Sequence, residues 1–228
     1  MIPLITLIYL ITLLKVYDFI VSFDINKNRL NACYSFINSN NGESMEKIGT
    51  QTIKTERLIL RRFKKEDITQ VYENYGSDEK ISKYISWIPC DTMDKCESFI
   101  DNNLKEYEEN PLHFSWVITL DSTIIGSIAI FNVDEGNNSG ELGYSLGSRW
   151  WKKGIMTEAA LAILDYGFNS AHLHRIYASC HEENMGSKGV MKKIGMKYEG
   201  KLRDGQLNLD NTYSNLDLYS ILESEYEK

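Results

Sequence analysis

Three short runs rich in β-branched and aromatic residues, 113–120, 124–133 and 139–147, succeed one another with only Asp, Ser, Asn and Gly turns between them. That pattern predicts an antiparallel meander, because such side chains suit a pleated, half-buried surface and the turn residues supply the bends. After Gly154 the period becomes helical, and residues 157–168 put Ala160, Leu161, Leu164 and Phe168 on one face. Residues 174–181 alternate again, a short helix from Asn184 stops at Gly195, and 196–201 and 213–222 supply two closing strands. Upstream, 53–63 alternates and reads as one strand, and the pair Glu66 and Asp67 opens a helix through Tyr75. Pro89 breaks the chain before an amphipathic helix capped by Thr92 or Asp94, with Cys96, Phe99, Ile100, Leu104 and Tyr107 at helical spacing. Strand runs mixed with flanking helices predict an α+β domain.

At roughly 100–200 residues per domain, the 228 residues make one domain and a remainder. Residues 2–14 are almost continuously apolar; Lys15 and Asp18 interrupt the run before 19–23 resume it. As a helix, 2–14 spans about 20 Å, short of the roughly 30 Å hydrocarbon core of a bilayer. No basic residue precedes the run and no A-x-A-like cleavage site follows it, so a secretory signal is poorly supported. Residues 26–44, rich in Asn and Ser, read as linker. Met45 opens MEKIGTQTIKTERLILRRF, which looks like a natural start, and Gly42-Glu43 just before it is encodable as a purine-rich, ribosome-recruiting run. Two readings of 1–44 stand side by side: sequence ahead of an initiator Met45, or a membrane-associating extension. In both, the working domain is 45–228.

Hydrophobic residues make up 43% of the chain, enough to fill a core, so a wholly disordered protein is excluded. The net charge of −7 excludes a partner nucleic acid held through a broad basic face, since such binding rests on neutralising phosphates. Any phosphate must be held locally. Cys33, Cys90, Cys96 and Cys180 form no C-x-x-C pair, and His113, His172, His174 and His181 complete no zinc spacing, which points to a reducing cytoplasm and no metal.

Residues 140–168, GELGYSLGSRWWKKGIMTEAALAILDYGF, carry the chemistry. A strand ends near Gly147, a loop holds Arg149, Lys152, Lys153 and Gly154, and a helix begins at Ile155 or Met156. Successive backbone N–H groups and a helix N-terminus then converge on one spot, where Gly154 lets the backbone approach an anion closely. The Walker and G-x-G-x-x-G phosphate loops are both absent.

LGYSLGSRWWKKGIMTEA, preceded by IKTERLILRRFKKEDI and followed by LHRIYASCHEENMGSKGVMKKIGMKYEGKLRD, resembles the GCN5-related N-acetyltransferase (GNAT) superfamily, in its branch of ribosomal-protein N-terminal (alanine) acetyltransferases. The resemblance covers 50–226. It implies a GNAT fold, a mixed and mostly antiparallel splayed sheet flanked by helices, with acetyl-CoA as cosubstrate. The family's pyrophosphate loop runs Gln or Arg, two free positions, Gly, one free position, then Gly or Ala. Trp151, Lys152, Lys153, Gly154, Ile155 and Met156 occupy those slots. Met156 departs from the small final residue and fits if its side chain faces the core. Asn184 and Ser187 match the family's N-x-x-S pattern, which implies that Asn184 holds the pantetheine arm and that Ser187 lies near the sulfur; both also suit plain helix capping. Many members carry a proton-donating tyrosine seven residues after the Asn, but that slot is Met191, leaving Ser187 as substitute acid. The resemblance further implies that a backbone N–H around Leu146 polarises the thioester carbonyl.

Acetyl transfer needs a neutral amine, so a base must take its proton. An α-amino group with a pKa near 8 is roughly a tenth neutral at pH 7, whereas a lysine near 10.4 is neutral in fewer than about one molecule in a thousand. Glu141, on the strand leading into the anion cradle, is the candidate base, directly or through a water; as an exposed strand glutamate it would have no role. Glu158 complements the start of its helix. His174 and Arg175 read as packing and pairing, and Trp87, Trp116 and Trp150 as core aromatics or walls of an acceptor cleft. The expectation is a cytoplasmic N-acetyltransferase acting by direct transfer in a ternary complex, monomeric or homodimeric. Its acceptor is a primary amine, the N-terminus of a ribosomal protein or other peptide, or a small molecule. Competing readings are a CoA-binding protein without transferase activity and, if 2–14 is real, a membrane-tethered interaction module.

Overall fold

The computed structural model describes residues 45–84, 90, 92–208 and 210–226. The apolar run 2–14, the linker 26–44, Cys33, Trp87 and Pro89 lie outside the described residues.

The strands are β1 (Ile53–Lys54), β2 (Leu58–Arg61), β3 (Phe114–Leu120), β4 (Thr123–Asp134), β5 (Ser139–Leu146), β6 (Arg175–His181), β7 (Lys197–Leu207) and β8 (Tyr213–Leu222). They form one sheet in the order β1-β2-β3-β4-β5-β6-β8-β7. The meander β3-β4-β5 is antiparallel, as its turns predict, and so is every neighbouring pair except β5 with β6.

A 3-10 turn at Lys65–Asp67 leads into α1 (Ile68–Val71) and a π turn at Tyr72–Gly76. Then follow α2 (Glu79–Ser82), α3 (Met93–Glu109), α4 (Ile155–Asn169) and α5 (Met185–Lys193). Helices cover both faces of the sheet. Phe114, Trp116 and Ile118 of β3 pack with Ala160, Ile163 and Leu164 of α4, while Val117 packs with Val71, Cys96 and Ile100 of α1 and α3. β3 is therefore buried along nearly its whole length. Thr92 caps α3 by accepting from Lys95 N at 3.3 Å. On α4 the buried face is Ala159, Ala160, Ile163, Leu164 and Phe168, and Leu161 points away from it, 40% exposed.

Two expected strands differ. The run 53–63 is not one strand but a hairpin, with Ile53 opposite Leu60 and Lys54 opposite Ile59. Thr55 makes the turn: its Oγ1 accepts from Leu58 N at 2.9 Å, and its own N–H donates to Leu58 O at 3.0 Å. The strand expected at 196–201 runs on to Leu207, because a bulge between Leu202 and Gln206, with Asp204 at φ 50°, hides the continuation behind turn-like residues.

The parallel contact is short. β5 and β6 pair only at Ser139↔Arg175, Gly140↔Ile176 and Glu141↔Tyr177. Yet β5 stays on β4 as far as Leu146, and β6 stays on β8 as far as His181. The two strands part after Glu141 and Tyr177 and leave a wedge-shaped gap in the sheet.

Candidate active site

One wall of the gap is the bare edge of β5. Gly147 N donates to Ile125 O at 2.9 Å, so Gly147, Ser145 and Gly143 turn their backbone groups toward β4. By the alternation of an antiparallel ladder, the N–H groups of Leu146 and Tyr144, beyond the last pairing with β6, point into the gap. The carbonyl of Leu146 on that edge is taken by the indole of Trp151, whose Nε1 donates at 2.6 Å. Trp151, expected as the first position of the anion loop, therefore ties that loop to the end of β5.

The mouth of the gap is the start of α4. Gly154 sits at φ 75°, the left-handed region that a side chain resists, and no side chain caps the helix. The first N–H groups of α4 thus lack intrahelical partners and carry the positive end of the helix dipole. Lys152 and Lys153 are exposed beside them. Met156 is buried in the core with Ile155, so the departure from a small residue leaves the cradle open. These features fit a pyrophosphate held by backbone.

The cradle is braced from the β1–β2 turn. Glu158, in the first turn of α4, accepts from Thr55 Oγ1 at 2.6 Å, Arg57 N at 2.9 Å and Arg57 Nε at 2.6 Å. Arg57 Nη1 also donates to Lys153 O at 3.1 Å. Burial works to raise the Glu158 carboxyl, but the bonds from Thr55 and Arg57 outweigh it and hold the group below its ordinary value. Glu158 thus has a partner set beyond the dipole role read from its position.

Glu141 and Ser187 flank the gap on opposite faces of the sheet. Glu141 shares its face with Ser179, whose hydroxyl donates to Glu141 Oε1 at 2.8 Å, and Asn132 Nδ2 donates to Oε2 at 3.0 Å. Both donors are neutral. Phe131, 44% exposed, lies beside Glu141 with its ring over Gly143, where a Cβ would stand 2.5 Å from the ring. On the other face Asn184 caps α5, its Oδ1 accepting from Ser187 N at 3.0 Å. The expected capping role of Asn184 is therefore observed.

Sequence reasoning missed Tyr144. Its hydroxyl lies 2.8 Å from Ser187 Oγ, joining β5 to α5 across the gap. The available signal was parity: Tyr144 stands between Leu142 and Leu146, with which it shares the core face of β5. Met191 is fully buried in the core and offers no proton to the gap. Trp116 is also fully buried, a core aromatic and not a cleft wall, while Trp150 is partly buried against the core. Arg175 pairs with Glu199 at 2.7 Å, a structural contact as expected. Among the described residues, no group of three or more His, Cys, Asp or Glu side chains is placed to hold a metal, and no helix is long and apolar enough to cross a membrane.

The acetyltransferase (GNAT) domain family matches residues 57–197. The chain belongs to the GNAT acetyltransferases. This GNAT chain is 36% identical over 174 residues to the uncharacterized N-acetyltransferase YnaD of Bacillus subtilis (strain 168), covering 76% of the chain and 98% of the relative. It is 28% identical over 159 residues to the [Ribosomal protein uS5]-alanine N-acetyltransferase of Escherichia coli (strain K12), covering 67% and 81%. A GNAT-family acetyltransferase structure from Bacillus anthracis superposes with a TM-score of 0.67 at 32% identity, covering 77% of this chain and all of that one. The protein is an N-acetyltransferase, and the splayed sheet is the fold it shares with these relatives.

Proposed function

We propose that the protein transfers an acetyl group from acetyl-CoA directly to a primary amine, and that the cradle at Trp151, Lys152, Lys153, Gly154, Ile155 and Met156 holds the cosubstrate's pyrophosphate. The observation carrying this is the gap between β5 and β6, with unpaired N–H groups along one edge, an anion cradle at its mouth, and Glu141 and Ser187 on opposite faces. Bound acetyl-CoA supplies a thioester carbonyl and a thiolate leaving group. The Leu146 N–H, aimed into the gap, stabilises negative charge developing on that carbonyl oxygen. Asn184 offers its side-chain amide to the pantetheine arm. Glu141, held by two neutral donors, accepts the proton of the incoming amine, directly or through one water. Ser187, on the far face, donates to the departing sulfur. An amine reaching the carbonyl from the Glu141 face leaves the cosubstrate in place, which supports a ternary complex over an acetylated enzyme.

The acceptor is a primary amine, the N-terminus of a peptide such as a ribosomal protein or a small molecule. An α-amino group is favoured because about a tenth of it is already neutral at pH 7, which asks little of a carboxylate base. Buried Met191, which leaves its slot without an acid, supports the second reading, a CoA-binding protein without transfer. The acetyltransferase domain proposed is 45–228: the Bacillus subtilis relative is covered almost end to end by 76% of this chain. Raised melting temperature with acetyl-CoA tests binding, and thiol release over a panel of peptides and amines tests transfer. No shift with acetyl-CoA discards both readings; a shift with silence across the panel favours the binder.

A further inference from the structure

The Tyr144 hydroxyl lies 2.8 Å from Ser187 Oγ and 3.3 Å from the Ser187 carbonyl, a link between the two walls of the gap. Two arrangements of protons satisfy this geometry. If Tyr144 donates to the Ser187 carbonyl, the serine proton turns back to the phenol oxygen. If Tyr144 donates along the shorter line to Ser187 Oγ, the serine proton points away from Tyr144, toward the gap and the Cys180 thiol. The 2.8 Å line is satisfied in both, but at 3.3 Å the carbonyl lies beyond the roughly 2.5–3.0 Å range of an O–H···O bond, which favours placing the phenol proton on Ser187 Oγ. Burial raises the Tyr144 phenol above its ordinary value, opposed in part by the bond with Ser187, so the phenol stays protonated and acts as a donor.

We propose that Tyr144 is a positioning residue that fixes the Ser187 hydroxyl as a hydrogen-bond donor to the sulfur of CoA. The inference rests on the acetyl-CoA reading above. It supplies what Met191 cannot, since a thioether carries no proton. The Tyr144 ring packs against the core, opposite Ile128 on β4, so the phenol oxygen has little freedom to leave Ser187. The Cys180 thiol, on β6, lies within hydrogen-bond reach of the Ser187 hydroxyl; burial pushes it up to about 11, so it stays neutral and is only a weak sulfur acceptor competing with the CoA sulfur. Lys188 Nζ lies 2.5 Å from Asp217 Oδ2, so α5 and β8 present a paired charge. Glu141 is on the opposite face of the sheet. A thiolate in the gap is therefore stabilised chiefly by the oriented serine hydroxyl, which takes no net charge and loses no proton unless the thiolate collects it.

The test is the ionisation of CoA bound to the full-length protein, followed by the ultraviolet absorbance of the thiolate. Subtracting the same titration with a sulfur-free CoA analogue removes the signal of the protein's own thiols and phenols. A hydrogen bond to the charged form lowers a pKa. Tyr144→Phe keeps the ring, and its melting curve without ligand shows that it is folded at the assay temperature. Tyr144→Phe and Ser187→Ala should each raise the pKa of the bound thiol by about one unit, roughly tenfold less thiolate at a given pH. The double variant should add little to Ser187→Ala, and Ser187→Thr, which keeps a hydroxyl, should restore most of the shift. A bound-thiol pKa unmoved by Tyr144→Phe overturns the inference, whether or not Ser187→Ala moves it, and leaves the acetyl-CoA reading intact. Failure of CoA to raise the melting temperature of the wild type overturns both.

Discussion

Arg57 Nε stands 2.6 Å from Glu158 Oε2, and the same guanidinium reaches Lys153 O at 3.1 Å. The turn between the first two strands therefore grips both the loop before Gly154 and the first turn of the helix after it. Half of that grip is solvent-exposed, so its worth lies in geometry more than in net stability. Arg57→Ala is expected to weaken acetyl-CoA binding about tenfold in calorimetry while lowering the melting temperature only slightly. Unchanged affinity would show that the cradle holds its shape without the brace.

Gly154 separates backbone strain from ligand exclusion. An added Cβ meets Arg57 Nη2 at 3.7 Å, an ordinary contact, so Gly154→Ala pays mainly for φ 75°. It is expected to cost about 1–2 kcal/mol of stability, read by denaturant unfolding, and to retain some response to acetyl-CoA. Gly154→Glu places a carboxylate where the pyrophosphate is expected and should abolish the acetyl-CoA-induced rise in melting temperature.

Glu141→Gln preserves the shape that Asn132 and Ser179 hold and removes the basic oxygen. Loss of about a hundredfold or more in kcat is expected, with the acetyl-CoA melting shift intact because Glu141 lies on the opposite face from Ser187. Full activity at every pH would remove Glu141 from the mechanism.

The site was legible in proportion to how local its geometry is. The left-handed Gly154 and the uncapped helix start after it could be read because they are contiguous in sequence. The Asn184 cap was legible for the same reason, since it spans three residues. The brace from Thr55 and Arg57 to Glu158 joins positions about a hundred residues apart, and no periodicity announces such a contact. Tyr144 was hidden because on its own strand it looks like one more inward-facing aromatic; only the parting of β5 from β6 gives its hydroxyl a partner on α5. In the fold, the meander was clear from its turns. The hairpin at Ile53–Arg61 was not, because Thr55 makes its turn without glycine or proline.

Glu199 accepts from both guanidinium nitrogens of Arg175 and from Ser220 Oγ, and these bonds lower its carboxyl to about 2. A carboxyl depressed in the folded state stabilises it above the unfolded value, and that stability is lost as pH falls through the folded one. Wild type should therefore exceed Glu199→Gln in stability near pH 7, and the gap should close as pH falls from about 5 to about 2. Denaturant melts across that range test it, and a gap independent of pH would assign the loss to packing.

Met45 is 9% exposed and packs in the core cluster that holds α4, while Glu46 N donates to Ala171 O at 3.0 Å. The described domain is thus anchored from its first residues onward. If 45–228 is the acetyltransferase domain, a chain begun at Met45 should melt at the same temperature as the full chain and show the same rise with acetyl-CoA. A start moved further, to Gln51, removes the buried Met45 side chain and the Thr50 hydroxyl that accepts from Ser115 N at 2.9 Å. That shorter chain should lose about 2–5 kcal/mol, the range for truncating a large buried side chain. N-terminal sequencing of protein made from its own gene decides separately where translation begins, and recovery of intact Met1 would remove Met45 as initiator without touching the stability comparison.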